Sequence, residues 1–370
     1  PPRLGGWMSS GTGNGAIMRS EIAESVQVAS RLIANRAHYE AIGAQLAERR
    51  PSVVVVAGRG TSDHAAIYAR YLLEHALGVP VALAAASLLT QYGVESASPN
   101  SALLAFSQSG AGPDIIALVE SARRRGAYTV ALTNDMTSPL AAAAESTVNL
   151  DAGPERAVAA TKTYIAELVS VALIAAAAAR HAGRDASWSN EIDALPERMQ
   201  AALSAAKTWL ANGADAPIYA ALLQSSRALV VGRGFEYPNA LELALKLRET
   251  SGMFSDGYSA ADLFHGPIAS AHAEVPAIVL STDPKTEVSV AASIDRLRGV
   301  GAPLLVIHAS GAGSRGLAPA EELALPGGPS GPLCTPVTAI AGLAIIEAVA
   351  TGRGLNPDAP AGLTKVTKTL

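Results

Sequence analysis

One short string occurs twice in this chain, and the interval between its copies limits the possible folds more than any other feature. Gly58-Arg59-Gly60 returns as Gly232-Arg233-Gly234, 174 positions on (58 and 232), and Phe106-Ser107 is matched by Leu280-Ser281 at the same interval (106 and 280). Gly126-Ala127 and Gly301-Ala302 lie 175 apart (126 and 301). Repeated motifs at one spacing mark an internal duplication. Each Gly-Arg-Gly follows a short apolar run, 52–57 in the first copy and 228–231 in the second, and precedes a helical pattern. A buried strand that runs through a glycine turn into a helix is the building unit of a parallel α/β sheet.

The first copy continues in that rhythm. Two helices over 19–48, broken near Ala34-Asn35, precede strand 52–57; helix 63–77 and strand 79–85 follow. Strand 102–106 leads to a helix opened by Pro113 and closed at Gly126-Ala127, then come strands 128–133 and 146–150. The alternation predicts a doubly wound parallel sheet flanked by helices, and the duplication predicts two in tandem. The copies are placed at 36–195 and 196–352, joined in the polar stretch 180–197. An arm and helix (1–35) precede them and a tail (353–370) follows. Residues 1–15 are rich in Gly, Pro and Ser and have no apolar secretory core, so they read as an arm.

Composition narrows the function. At 370 residues the chain is too long for one typical core. Apolar residues are 49% and aromatics 4%, so alanine and valine build the core and helices must approach closely. A net charge of −4 without a basic block excludes a nucleic-acid binder. The stretch 168–179 is apolar, but Glu167 and Arg180 bound it too closely for a membrane span, so a core helix is expected and no membrane partner. The single cysteine, Cys334, excludes an internal disulfide and fits a cytoplasmic location. No His/Cys/Asp cluster has metal-ligand spacing. Gly58-x-Gly60 lacks the third glycine of a dinucleotide fingerprint, because position 63 is Asp63. No metal or other cofactor is expected.

Ligands of such sheets bind at the strand-to-helix turns, where N–H groups and helix dipoles favour an anion. In the first copy those turns carry hydroxyls: Thr61 and Ser62, then Ser107 and Ser109. In the second, Phe235 and Glu236 replace Thr61 and Ser62, and Asp283 replaces Ser109. Carboxylates repel phosphate, so one phosphate per chain is expected, in the first copy.

The stretch 232–267 is the richest in chemistry. Pro238 opens a helix on which Glu242, Lys246 and Glu249 fall at i, i+4 and i+7 and share a face. On spacing alone this is more often a solvated surface pair worth about a few tenths of a kcal/mol. A loop follows, ending in His265-Gly266-Pro267.

The string Tyr237-Pro238, Ala240-Leu241-Glu242, Ala244-Leu245-Lys246-Leu247, Glu249 and His265-Gly266-Pro267 resembles the isomerase half of glucosamine-fructose-6-phosphate aminotransferase and its deaminase relatives, proteins with paired sugar isomerase (SIS) domains. Gly60-Thr61-Ser62 and Ser107-Gln108-Ser109-Gly110 are similar to that family's phosphate-binding turns, although Gly112 stands where it usually has Ser or Thr and Ala111 where glutamate is common. The stretch 152–162 resembles its Ala-Gly-x-Glu-x-x-Val-Ala-x-Thr-Lys motif. The resemblance implies that the Val158 and Ala159 backbone holds sugar hydroxyls and that Glu155 positions the amino group. Lys365 matches the family's lysine near the chain end, in a tail that closes over the sugar.

From this the resemblance implies a reaction. His265 opens the ring of an aminosugar phosphate, Glu249 moves the proton between C2 and C1 beside Lys246, and Lys365 forms a Schiff base or stabilises charge. In the family the histidine serves the partner's site, which implies a homodimer. No glutaminase domain is present and Ala160 replaces the serine common in aminotransferases, so deamination of glucosamine 6-phosphate is expected. Galactosamine 6-phosphate as substrate, a glutaminase-less aminotransferase half, and a non-catalytic sugar-phosphate sensor are the alternatives.

Overall fold

The computed structural model describes residues 14–213, 216–310, 316–328 and 331–365. It contains two parallel five-stranded sheets. The first holds β1 (Val53–Ala57), β2 (Val81–Leu83), β3 (Ser101–Phe106), β4 (Tyr128–Thr133) and β5 (Ser146–Asn149), in the order β2-β1-β3-β4-β5. The second holds β6 (Arg227–Gly232), β7 (Phe254–Ser259), β8 (Ala277–Ser281), β9 (Leu304–Ala309) and β10 (Glu322–Leu325), in the order β10-β9-β8-β6-β7. Read from its other edge, the second sheet has the order of the first. β1 and β3 pair in register from Val53↔Ser101 to Ala57↔Ala105. The turns that follow them therefore emerge side by side, at the point where the strand order reverses. β6 and β8 do the same, with Val231 opposite Val279.

The helices are α1 (Ala16–Ala34), α2 (Arg36–Glu48), α3 (Thr61–Leu77), α4 (Ala86–Thr90), α5 (Pro113–Arg124), α6 (Pro139–Ala143), α7 (Lys162–His181), α8 (Leu195–Asn212), α9 (Pro217–Gln224), α10 (Tyr237–Ser251), α11 (Glu287–Gly299) and α12 (Cys334–Gly352). Contacts divide the chain into two compact units that do not follow the repeat boundary alone. One contains the first sheet: 27–155, 162–193 and, at the end of the described chain, 364–365. The other contains the second sheet: 14–26, 156–161 and 194–363.

In the first-sheet unit, α2 and α3 pack on α7, which is buried without interruption from Lys162 to Ala179. A Cβ on Gly43 would sit 2.2 Å from the Ile174 carbonyl oxygen, so only glycine lets α2 come this close. In the second-sheet unit, α12 is buried from Cys334 to Ala350 and packs on α8 and α10. There a Cβ on Gly342 would meet Leu243 at 2.5 Å. α7 and α12 are apolar and long enough to cross a membrane by composition, but the apolar window of each is buried inside the protein.

Most element boundaries lie within two residues of those read from the sequence. The core helix read at 168–179 extends at both ends into α7 (Lys162–His181), the first helix starts three residues earlier than read, and the segment before His265, read as loop, holds a strand. Phe254–Ser259 is β7, an edge strand paired in parallel with β6 from Arg227↔Phe254 to Gly232↔Ser259. Its sequence, FSDGYS, has no apolar alternation, and Phe254 is 82% exposed, so nothing local marks it as a strand. Residues 1–13 of the expected arm and 366–370 of the expected tail lie outside the described residues.

Candidate active site

The turn after β1 depends on Gly60, whose φ of 55° lies in the left-handed region. The turn after β3 depends on Gly110, at φ 59°, where a Cβ would collide with Ser138 Oγ at 2.1 Å. Within these turns the serine hydroxyls act as acceptors of backbone N–H groups. Gly110 donates to Ser107 Oγ at 3.1 Å and Ala111 to Ser109 Oγ at 3.4 Å. Each hydroxyl keeps its own proton for a ligand. The backbone N–H groups of Gly60, Gln108 and Ser109 have no acceptor among the described residues. Backbone N–H groups without acceptors at two neighbouring strand-to-helix turns are the kind of donor an anion takes up. Ser62 is engaged differently. It is buried, and its hydroxyl donates to Glu167 Oε1 on α7 at 2.8 Å.

The corresponding turns of the second sheet are filled by the protein. Glu236 is 1% exposed and accepts hydrogen bonds from Asn239 Nδ2 at 2.7 Å, from Thr338 Oγ1 at 2.7 Å and from Thr282 Oγ1. Burial pushes its carboxyl above the usual range, against these three donors. Asp283 is also buried and accepts from the Lys285 N–H. Cys334 lies beside this group. Burial, then the neighbouring Glu236 and Asp283, push its thiol well above its ordinary value, so it is a packing residue.

The α10 face carries a cluster that spacing alone left ambiguous. Glu242 and Lys246 are both buried to 0% exposure, so the pair is not a solvated one. Lys246 Nζ lies 3.2 Å from Glu242 Oε1 and 2.5 Å from Glu249 Oε2. Burial alone would depress the lysine, but Glu242 and Glu249 outweigh it and hold its ammonium above the ordinary value. The Glu249 side chain is 24% exposed, so the cluster presents one carboxylate outward from a buried charge pair. Arg248 fixes the end of the helix by donating to the Ser255 carbonyl at 2.5 Å. His265 follows in the same unit. It is exposed, its N–H donates to the Asp262 carbonyl, and no hydrogen bond or ion pair among the described residues joins its ring to Glu249.

In the third motif Glu155 is 8% exposed and belongs to the first-sheet unit. Its carboxylate accepts from Thr163 N–H at 3.1 Å, from Thr163 Oγ1 at 2.8 Å and from Lys365 Nζ at 2.8 Å. The lysine near the end of the described chain is thus held by the glutamate of this motif. Val158 and Ala159 belong to the other unit. The Val158 N–H donates to the Asp358 carbonyl at 2.9 Å. Asp358 also caps α1 through Ile17 and Met18 N–H, and the buried Glu21 of α1 accepts from Arg156 and Ala157 N–H. The sequence reading missed Glu21 and Asp358 as organisers of this loop. The available signal was an acid on the apolar stripe of α1, between Met18 and Ser25, both fully buried. Among the described residues no group of three or more His, Cys, Asp or Glu side chains is placed to hold a metal ion.

A family model for the SIS domain matches residues 48–177 and 221–331, one stretch on each repeat. The isomerizing glutamine–fructose-6-phosphate aminotransferase of Pyrococcus horikoshii is 34% identical over 250 residues, 67% of this chain and 41% of that protein. Its counterpart from Chlorobaculum tepidum is 30% identical over 315 residues, 84% of this chain and 50% of that protein. The chain spans about half the length of the curated relatives it matches. A solved structure from Silicibacter pomeroyi DSS-3, described as a phosphosugar isomerase, superposes with a TM-score of 0.80 at 30% identity, covering 93% of this chain and 100% of that one.

Proposed function

The chain belongs to the SIS-domain family, and on that premise we propose that it is a glucosamine-6-phosphate deaminase, turning glucosamine 6-phosphate and water into fructose 6-phosphate and ammonia. The observation that carries the reading is the α10 cluster, in which Glu249 is held at 2.5 Å by a fully buried lysine yet keeps part of its surface open. A positioned, partly open carboxylate is what proton transfer between adjacent carbons requires.

His265 moves a proton from O1 to O5, which opens the ring. Glu249 takes the C2 proton and returns it to C1, leaving a C1 hydroxyl and a C2 imine. Water adds to C2 and the nitrogen departs as ammonia. The first-sheet turns hold the phosphate through Ser107, Ser109, Thr61 and the N–H groups of Gly60, Gln108 and Ser109. Glu155 receives the substrate's amino group, and Lys365, paired with it in the structure, offsets charge on the open-chain sugar. The carbonyl of Val158 takes a sugar hydroxyl, because its N–H is already committed to Asp358. The exposed His265 ring suits a residue lent to a second copy of the chain.

The test is to measure ammonia released from glucosamine 6-phosphate, together with fructose 6-phosphate, and ammonia released from its C4 epimer, together with the ketose 6-phosphate that keeps the inverted C4. Release from the first supports the reading. Release from the C4 epimer alone makes the enzyme a galactosamine-6-phosphate deaminase. Tight binding of glucosamine 6-phosphate by a folded protein with no ammonia from either sugar makes it a sensor and overturns the reading.

A further inference from the structure

Arg59 and Asp114 join the two turns of the first sheet's crevice. Arg59 follows β1 and Asp114 lies in the first turn of α5, after β3. Arg59 Nε is 2.7 Å and Nη2 2.6 Å from Asp114 Oδ2, while Oδ1 accepts the Ile115 N–H at 2.9 Å. The carboxylate is 2% exposed and the arginine side chain 55% exposed. The guanidinium is therefore anchored at one edge and keeps its remaining N–H groups toward solvent.

The duplicated turn does not repeat this arrangement. Arg233, which matches Arg59, donates to Ser259 Oγ at 3.4 Å, and the position matching Asp114 is Val288, 86% exposed. The anchored arginine is thus confined to the unit whose turns offer donors to an anion. The hydroxyls and N–H groups of those turns are neutral, and the buried Asp114 beside them would repel a phosphate. A guanidinium bound to Asp114 cancels that charge and supplies a cation.

We infer that Arg59 is the counter-charge for the substrate's phosphate and that Asp114 is its positioning residue. The inference rests on the reading that the first-sheet turns hold a phosphate. It has a particular signature, because removing Arg59 both deletes a cation and unmasks a carboxylate. Arg59→Met should weaken glucosamine 6-phosphate binding about 10- to 100-fold. The double variant Arg59→Met/Asp114→Asn should bind more tightly than Arg59→Met alone. Unphosphorylated glucosamine should bind all of these proteins equally.

The experiment is calorimetric titration of glucosamine 6-phosphate, with inorganic phosphate as a second probe, into wild type, Arg59→Met, Arg59→Lys, the double variant and Ser109→Asp. Circular dichroism and melting confirm that each is folded, and Arg59→Lys serves if Arg59→Met does not fold. Loss of affinity in Arg59→Met, with partial recovery in the double variant, supports the inference. Wild-type affinity in Arg59→Met together with lost affinity in Ser109→Asp overturns it and leaves the phosphate reading standing. Equal affinity of wild type and Ser109→Asp instead overturns the phosphate reading. Loss in Arg59→Met with no recovery in the double variant overturns the role given to Asp114.

Discussion

Ser62 and Glu236 occupy the same position in the two repeats, 174 residues apart (62 and 236), and their hydrogen bonds run in opposite senses. Ser62 donates to a carboxylate, Glu167, on the long helix α7. Glu236 accepts from a hydroxyl, Thr338, on the long helix α12. Each unit ties its first turn to its core helix with one hydroxyl and one carboxylate, but the two have changed sides. As a result the second unit has a carboxylate buried in the turn where the first presents hydroxyls.

That buried carboxylate gives a pH signature. Glu236 is raised by burial above its ordinary 4.5. The folded state binds its proton more tightly than the unfolded chain does. Its contribution to stability is therefore fully present below the unfolded pKa and is lost as pH rises through the folded one. Glu236→Gln removes the titration. The melting temperature of Glu236→Gln minus that of wild type should become more positive from about pH 4.5 upward, whatever constant offset Asn239 adds. A difference that stays flat with pH would show that Glu236 does not titrate this way.

Lys246→Met should cost about 3–5 kcal/mol, because it leaves Glu242 buried without this cation. Adding Glu242→Gln to Lys246→Met should recover part of the loss. Urea midpoints of the three proteins check it, and an exposed pair would have given changes below about 1 kcal/mol.

Glu249→Gln should lower kcat about 10² to 10⁴-fold while glucosamine 6-phosphate still binds. His265→Asn should slow ring opening, and its defect should shrink on a linear substrate analogue. If the histidine is lent across a dimer, a purified heterodimer of the two variants regains activity at one of its two sites. A verified heterodimer that stays inactive would place His265 in its own chain's reaction or outside it.

Lys365→Met should remove most turnover and lower the melting temperature only slightly, because one quarter of the lysine side chain is solvated (25% exposed) and Thr163 still bonds Glu155. Glu155→Gln should raise KM for the aminosugar phosphate more than for fructose 6-phosphate. Full kcat in Lys365→Met would reduce the lysine to a solvated charge.

The duplication, the parallel sheets and the positions of the turns after β1 and β3 were legible because glycine turns and β-branched runs are local signals. β7 was not, since an edge strand with polar side chains carries no alternation. The burial of Glu242 and Lys246 was equally hidden. It depends on tertiary packing of α10 against β6, β7 and α12, the last of which comes close enough for a Cβ on Gly342 to meet Leu243, 99 positions away (243 and 342), and no helix face announces which partner will cover it. The same limit applies to Glu21, whose acceptor role depends on residues 135 and 136 positions further on. Nor did residue types distinguish Ser62, bonded to Glu167, from Ser107 and Ser109, because all three are hydroxyls at helix-entry turns.

Glu155 and Lys365 are 210 positions apart. At a translation rate of about 5–20 residues per second, the glutamate waits roughly 10–40 s on the ribosome before its lysine is made. Through that interval the first sheet, α3 and the turns after β1 and β3 are already synthesised, so the nascent chain has both turns but not the lysine that pairs with Glu155. On the proposed reading, a chain halted between the end of α7 and Lys365 would hold the phosphate turns without the lysine, so competence to react arrives after competence to bind.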